Sequence, residues 1–423
     1  MQKKYFVLLL LTSLLLTTAQ FGNFINRVKD KVVQKSTARA DNKVDKYIDK
    51  TLDKIEGKTD APIVTTETDG NKGSNFTSFT KYDFVTGEQI VYAEDFSQEA
   101  IAELPLGWNT NGSGEVVTIE NISGNWLRLH KSNLYLSANS KIFSFNYTVE
   151  FDLILQLKNN GWMYPTFSAG MMSTREEATT DNFFLTDWNK YTATVATIYP
   201  QENNNSKVKV ELSKDSKITF TSEVKDYGAL DQYYGKPVHV AIQVQKQRFR
   251  MWINSTKVFD MPKGVDTTYK MNQLLFKVGQ TNYGEEQYGV YITNIKTAAG
   301  LPDTRHKLIE EGKFSTTGIL FDVNSSVIKP ESNGVVKEIA TVLKENPSIK
   351  IKIIGHTSSD GDDKVNMDLS SQRAAAVKTL LTEEFKIDTS RIETEGKGET
   401  EAVGDNKTKE GRSQNRRVEF IKQ

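Results

Sequence analysis

The spacing of apolar residues changes along the chain and divides it into segments. Between residues 20 and 56 apolar side chains recur every three or four positions, as in Phe21, Ile25, Val28 and Val32 and then Val44, Ile48, Leu52 and Ile55. This spacing predicts an amphipathic helical spacer; the dense Lys and Asp between the apolar positions favour a solvated spacer over a helix that docks on a partner. Residues 57–81 are rich in Thr, Gly, Asn and Asp, which predicts a flexible linker.

From residue 82 to 297 the period becomes that of β-strands. Val238, Val240, Ile242 and Val244 alternate with residues of the opposite face, and Phe249, Met251 and Ile253 repeat the pattern. The region is therefore predicted to be an all-β domain. Alternation alone leaves two architectures, a water-soluble sandwich and a membrane barrel. Many runs are shorter than the roughly 9 to 11 residues that cross a bilayer, which favours the sandwich.

After a second linker, predicted at 298–313, residues 314–423 mix both periods. Strands are predicted at 318–321 and 349–354 and near Arg391 and Val418, and helices at 330–345 and 366–384. Pro330 suits a first helical turn. The first helix carries one apolar stripe, formed by Val335, Val336, Ile339, Ala340, Val342 and Leu343. This order predicts an α+β domain of the βαβαβ type, so the chain as a whole is multidomain.

The N-terminus has the pattern of a secretory signal. Lys3 and Lys4 precede an apolar stretch from residue 5 to 16, and small residues end at Ala19. We expect residues 1–19 to be a signal peptide and the protein to be exported. The chain has no cysteine, which excludes disulfides, thiol catalysis and a lipidated cysteine.

Composition narrows the partners further. The 423 residues suffice for two or three domains, and 54 basic side chains balance 54 acidic ones. No overall field therefore draws the protein to nucleic acid. His356 has no second histidine or cysteine at ligand spacing, so neither a metal nor another cofactor is expected.

The all-β region resembles the concanavalin-like jelly-roll domains of lectins and glucanases. The resemblance is carried by Glu94-Asp95-Phe96, then Pro105 and Gly107-Trp108, and by the hairpin at 238–259. It implies a jelly-roll sandwich that binds or cuts carbohydrate. The glucanases use three carboxylates on one strand, but here only Glu150 and Asp152 occur, and Ile154 and Leu155 stand where the third is expected. Catalysis is therefore disfavoured.

The C-terminal region resembles the OmpA-like peptidoglycan-binding domain. The matching motifs are Ile319 to Asp322, Gly355-His356-Thr357, Asn366, Leu369-Ser370, Arg373-Ala374, Gly411-Arg412 and Asn415 to Val418. The family's ligand is the stem peptide of peptidoglycan, whose diaminopimelate residue presents an ammonium beside a carboxylate. By resemblance, Arg373 binds that carboxylate, which a guanidinium can do through two parallel hydrogen bonds.

One position departs from the family pattern. In the family, the residue after the threonine that matches Thr357 is usually an aspartate that receives the ligand ammonium. Here that position is Ser358, which supplies no charge. We hypothesise that Asp360 provides the anion; alternatively Asp360, Asp362 and Asp363 are solvated turn acids. Arg412 and Arg417 are either pocket residues or charges of the surface or of the fold's framework. The expected peptidoglycan-binding residues are Phe321, Asp322, Thr357, Ser358, Asp360, Asn366, Leu369, Arg373, Asn415 and Arg416.

These expectations combine into a function. The protein is interpreted as a non-enzymatic anchor of the periplasm, associated with the outer membrane and held on peptidoglycan by its C-terminal domain. Its β-domain would bind a glycan or an outer-membrane protein complex. The alternatives are a carbohydrate-active enzyme delivered to the wall and an OmpA-type porin with a membrane barrel.

Overall fold

The computed structural model describes residues 82–186 and 191–423. The expected signal peptide, helical spacer and flexible linker at 1–81 lie outside the described residues. Within the described ranges, no helix is both long enough and apolar enough to cross a membrane.

Sixteen strands form the larger part of the described chain. The first eight are β1 (Gln89–Glu94), β2 (Asn109–Thr110), β3 (Gly114–Ile119), β4 (Ile122–Leu129), β5 (Leu134–Leu136), β6 (Asn146–Leu157), β7 (Phe167–Ser173) and β8 (Thr192–Tyr199). The next eight are β9 (Lys207–Lys214), β10 (Lys217–Thr221), β11 (Lys225–Asp226), β12 (Val238–Gln245), β13 (Arg248–Ile253), β14 (Thr256–Met261), β15 (Gln273–Val278) and β16 (Tyr288–Ala299). Short 3₁₀ helices lie at Asn182–Leu185 and Gly228–Tyr233.

These strands build two antiparallel sheets, each with eight strands among the described residues. The first sheet has the order β14-β13-β12-β6-β16-β4-β3, with β1 also paired to β16. The second has the order β10-β9-β8-β7-β15-β5-β2, with β11 paired to β9. Several neighbouring strands, such as β6 and β16, are far apart in sequence, so local pattern could predict the strands but not their order.

The two sheets pack face to face around one core. The ring centroid of Phe151 in the first sheet lies 6.1 Å from that of Phe167 and 5.4 Å from that of Phe276 in the second. The alternating residues of β12 and β13 point into this core as predicted, because Val240 and Ile253 are fully buried. Burial of this apolar face is what stabilises the two-sheet arrangement.

The opposite face of the first sheet is also covered. Tyr82 and Phe84 pack on Trp252 and Ala241, and the Trp252 indole donates a hydrogen bond to Asp83 over 3.0 Å. Sequence alternation predicted a second, more polar face here; the structure buries much of that face beneath the segment that precedes β1.

The C-terminal region forms a separate, four-stranded sheet with helices. Its elements are α1 (Thr304–Ile309), β17 (Lys313–Thr316), α2 (Asn333–Glu345), β18 (Ile351–Gly355), α3 (Asp363–Glu383), β19 (Ile392–Gly396), α4 (Lys409–Asn415) and β20 (Val418–Lys422). Short 3₁₀ helices lie at Pro330–Ser332 and Thr389–Arg391. In this part of the described chain the sheet order is β17-β20-β18-β19, and only β18 and β19 run parallel.

Two predicted segments differ from what forms. The strand expected at 318–321 is absent, because the Ser332 hydroxyl bonds both the N–H and the C=O of Leu320. The first strand is instead β17, and Phe321 makes only an isolated bridge to Ile328. The segment 298–313, expected as a linker, contains the end of β16 and helix α1.

The helices of this region pack on the sheet through the predicted stripe. Val336, Ile339 and Leu343 of α2 are fully buried against Ile353 of β18 and Phe420 of β20. Pro330 lies in the 3₁₀ turn that starts the first helical segment, where its missing N–H costs nothing. The fold is thus mostly β, with several sheets and an α+β C-terminal domain.

Close backbone contacts join the C-terminal domain to the sandwich. A Cβ on Gly334 of α2 would lie 2.0 Å from the Phe84 carbonyl oxygen, so only glycine permits this approach. The Gln414 side chain of α4 accepts a hydrogen bond from the Ile90 N–H (2.8 Å) and donates one to the Glu88 carbonyl (3.2 Å). One amide side chain therefore pairs with the exposed edge of β1.

Candidate functional site

A cleft of about 630 Å³ lies at this junction. All of the residues expected at the ligand site line it except Asn415, so it contains Phe321, Asp322, Thr357, Ser358, Asp360, Asn366, Leu369, Arg373 and Arg416. They come from the loop before α2, the loop after β18, helix α3 and the end of α4. The tertiary fold brings together positions that are distant in sequence.

Arg373 is the half-buried cation of this cleft. Its Nε donates to the Ser325 carbonyl over 3.0 Å, and the guanidinium carbon lies 4.8 Å from the centre of the Phe321 ring. Burial, with the nearby Arg416 charge, lowers the pKa of Arg373 to about 10, which still leaves it charged at neutral pH. Among the described residues no carboxylate lies within ion-pair distance of it. The site thus holds a positioned cation with capacity for an external anion.

The loop after β18 supplies hydroxyl groups. Thr357 is 5% exposed, and its hydroxyl has no hydrogen-bond partner within the described ranges. A buried hydroxyl without a partner is costly, so a ligand atom would satisfy it. Ser358 donates to the Asp360 carboxylate over 2.9 Å, which orients the loop's acid toward the cleft.

Asn366 positions this loop. Its amide nitrogen donates to the carbonyls of Ser358 (3.3 Å) and Asp360 (3.2 Å) and to Glu399 (2.8 Å). Asp362 caps α3 by accepting from the N–H groups of Lys364 and Val365, so it is a turn acid of the fold. Leu369, one helical turn before Arg373, is partly buried in the cleft wall.

The arginines in and just after α4 have different roles. Arg416 lies 3.5 Å from Asp360 and 3.5 Å from Asp95, whereas Arg412 is 3.7 Å from Asp360 and donates to the Asn406 carbonyl. Arg417 is paired with Glu419 at 2.9 Å and stabilises the buried end of the sheet.

Asn415 and His356 belong to the fold around the site. Asn415 is fully buried, and its side chain bonds the N–H groups of Val403 and Gly404, so it orders a loop instead of lining the cleft. His356 is 3% exposed, with Nε2 3.7 Å from Glu419. No group of three or more metal-ligating His, Asp or Glu side chains occurs in the described parts of the chain.

The sandwich contributes a second wall that motif matching missed. It includes Asp95, directly after β1, and Lys296 of β16. The sequence did carry a signal, since Glu94 and Asp95 are consecutive acids at the end of an alternating strand. Nothing in the local pattern, however, indicated that this strand end faces the C-terminal domain.

Deeper in this wall lies a buried charge cluster that we define as Glu150, Asp152, His239 and Lys296. Glu150 is 3.0 Å from Lys296 and accepts a hydrogen bond from Thr86. His239 lies 2.8 Å from Asp152 through Nδ1 and 3.6 Å from Glu150 through Nε2. These contacts pair each acid with a cation.

The pairing determines the ionisation of the cluster. Burial alone would raise the pKa of Glu150, but Lys296 and His239 lower it to about 2. Burial would lower the pKa of His239, but Asp152 and Glu150 raise it to about 10. A carboxylate that stays ionised and ion-paired cannot act as the general acid of a glycosidase, which needs a raised pKa.

Comparison with known proteins agrees with the C-terminal motifs. The OmpA family model matches residues 320–416. Outer membrane protein Omp38 of Acinetobacter baumannii is 42% identical over 100 residues, which are 24% of this chain and 28% of that protein. The chain thus spans little more than a quarter of the length of this relative.

Two further relatives extend the comparison. The peptidoglycan-associated lipoprotein of Burkholderia pseudomallei, a solved structure, is 26% identical, with a TM-score of 0.24, over 26% of this chain and 89% of that one. The outer-membrane lipoprotein YfiB of Pseudomonas aeruginosa is 37% identical over 147 residues, which are 34% of this chain and 81% of YfiB. By this match and its C-terminal motifs, the chain belongs to the OmpA family.

Proposed function

We propose that this protein is a non-enzymatic anchor of the cell envelope that binds peptidoglycan through its C-terminal domain. The ligand is the stem peptide, with Arg373 receiving the carboxylate of diaminopimelate through two hydrogen bonds. The observation that carries the proposal is the half-buried Arg373 guanidinium, which has no ion-pair partner among the described residues and lines a cleft with the unpartnered Thr357 hydroxyl.

The remaining cleft residues fit around that contact. Phe321 packs on the Arg373 guanidinium and fixes its plane. Asp360, oriented by Ser358, adds a negative charge to the same wall of the cleft. Asp322, Leu369 and Arg416 complete the cleft wall, while Asn366 and Asn415 hold the loops. The relatives support this location, because one is named as an outer membrane protein and another as an outer-membrane lipoprotein.

Such an anchor need not bind each site tightly. The stem peptide repeats along the wall, so several sites engaged together raise avidity without new contacts. We place the protein in the periplasm, exported by its N-terminal signal and associated with the outer membrane and the wall.

The sacculus pull-down of the full chain tests the proposal. Arg373→Ala should weaken retention on isolated peptidoglycan about 10-fold to 100-fold, since a charge-assisted contact contributes about 1.5 to 3 kcal/mol. Arg373→Lys keeps the charge but not the paired hydrogen bonds and should give an intermediate loss.

The matched control is Arg305→Ala. Arg305 lies on α1, is paired with Glu345 and does not line the cleft, so its loss removes the same charge without affecting binding. Thermal unfolding of each variant separates loss of binding from loss of fold. Wild-type retention of a folded Arg373→Ala variant would contradict the assigned site.

For the sandwich we propose a jelly roll of the concanavalin-like kind that binds a glycan or an envelope protein complex. The two antiparallel sheets and their long-range strand pairs support this fold. Trp162 is 57% exposed on a loop beside Asn159 and Asn160, a combination that can stack on and hydrogen-bond a sugar. Trp162→Ala should reduce binding of the full chain to a glycan array. If binding to the array does not change, the partner of the sandwich is a protein complex instead of a glycan.

A further inference from the structure

The missing acid at position 358 raises the question of where the ligand ammonium would find its charge. Ser358 provides a hydroxyl only. Asp360 is the nearest carboxylate on the same loop, but one of its oxygens accepts the Ser358 hydroxyl and lies 3.5 Å from Arg416 and 3.7 Å from Arg412. In addition, 58% of its side chain is exposed, so water screens any ion pair that it makes.

A second carboxylate faces the same cleft from the sandwich. Asp95 has one oxygen fixed by the N–H (3.1 Å) and hydroxyl (2.6 Å) of Ser97. Its other oxygen lies 3.5 Å from Arg416, a distance longer than that of a direct hydrogen bond, so it retains capacity to accept from a ligand. Only 32% of the side chain is exposed, and the hydrogen bonds and nearby arginines, acting against burial, lower the pKa of Asp95.

The wall that carries Asp95 is fixed in place. Lys409 of α4 pairs with Glu94 at 2.7 Å and also with Glu99, and thus ties the end of β1 to the loop that follows it. Gln414 bonds the backbone of β1 itself. A carboxylate held on such a support loses little entropy when it binds a ligand.

We infer that the peptidoglycan pocket is shared between the two domains and that Asp95 of the sandwich supplies the carboxylate that receives the ligand ammonium. This inference rests on the function proposed above and deepens it. The C-terminal domain provides the cation for the ligand carboxylate; the sandwich provides the anion that position 358 lacks. Because the two charges come from different domains, the pocket recognises the paired charges of diaminopimelate only when both domains are present.

Two soluble peptides separate the charges of the ligand. The first is the tripeptide L-Ala-γ-D-Glu-meso-diaminopimelate, and the second carries 2-aminopimelate in its place, which keeps the terminal carboxylate and lacks the ammonium. Calorimetric titration of the full chain should show that Asp95→Asn lowers the affinity for the first peptide about tenfold, as for loss of one charge-assisted contact. The affinity for the second peptide should not change.

The matched control is Asp260→Asn. Asp260 is 31% exposed, is paired with Arg248 and does not line the cleft, so its neutralisation should change neither peptide. Asp360→Asn, measured beside it, should discriminate between the peptides less than Asp95→Asn does.

Two outcomes would overturn the inference alone. If Asp95→Asn binds the first peptide as the wild type does, the ammonium is received elsewhere; if it weakens both peptides equally, Asp95 only supports Arg416. Under either outcome the Arg373→Ala variant would still bind neither peptide, so the proposed function would stand. Wild-type protein that binds neither peptide would instead refute the proposed function and the inference with it.

Discussion

The two regions that meet at the cleft use their buried polar groups in opposite ways. In the sandwich, the charges of the buried cluster are paired internally, since Lys296 and His239 lie within ion-pair distance of Glu150 and Asp152. In the C-terminal domain, Arg373 and Thr357 have no such partners among the described residues. The satisfied set stabilises the junction; the unsatisfied set is the better candidate for ligand binding, because a bound molecule would offset its cost.

One buried and one partly buried glutamate show the same contrast. Glu150 stays ionised because cations surround it, with a pKa of about 2. Glu338 on α2 has no ion-pair partner among the described residues; burial, reinforced by the charge of Asp303, raises its pKa to about 7. Burial of a carboxyl group therefore has opposite consequences in the two domains, depending on what faces it.

The largest expected effect comes from breaking the satisfied cluster. Glu150→Gln leaves Lys296 buried without its carboxylate and His239 with Asp152 alone, and should destabilise the protein by about 3 to 5 kcal/mol. Urea unfolding of the full chain measures this loss.

Asp215→Asn is its control, because Asp215 is 61% exposed in a surface pair with Arg175 and should cost less than about 1 kcal/mol. If the two substitutions lowered the free energy of unfolding equally, the buried cluster would be no more important to stability than an exposed ion pair. Hydrolysis of a polysaccharide by the wild type, abolished in a folded Glu150→Gln variant, would revive the enzyme alternative.

The next largest effect is the pH dependence of stability that Glu338 causes. The folded-state pKa of Glu338 lies above its usual value, so the folded state binds the proton more tightly, and stability falls as pH rises from about 4.5 to about 7. Glu338→Gln should therefore be more stable than wild type at pH 8, by about 2 kcal/mol, and equally stable near pH 4.

Urea unfolding at both pH values measures this difference. Glu345→Gln, an exposed change on the same helix, serves as the control and should show no such dependence. A Glu338→Gln variant whose advantage is the same at pH 4 and pH 8 would mean that titration is not its cause.

The smallest effect is a gain. Ser358→Asp restores a carboxylate at the loop and should tighten the diaminopimelate tripeptide a few-fold, because the added charge is partly screened. In the Asp95→Asn background the gain should be larger, since the two carboxylates then no longer compete for one ammonium. Isothermal titration measures both values, and equal gains in the two backgrounds would indicate that the carboxylates act independently.

The sequence alone predicted much of the C-terminal domain. The stripe of α2 and the helical turn at Pro330 that precedes it depend on residues a few positions apart, so local spacing was sufficient. The same holds for Asn366, Leu369 and Arg373, which lie three to four residues apart and therefore share one face of α3. The strand expected at 318–321 did not form, because the Leu320 N–H donates a hydrogen bond to the hydroxyl of Ser332, which lies outside that segment.

In the sandwich, alternation determined which side chains of β12 and β13 face the core. It did not determine what covers the opposite face of that sheet. Whether His239 meets water or an ion pair depends on Asp152 of a neighbouring strand and on residues 82–86 that cover the sheet. The sequence likewise placed Arg373 in a binding motif. Only the packing of two domains brought Asp95 to the same cleft, because a contact between distant segments leaves no local period in the chain.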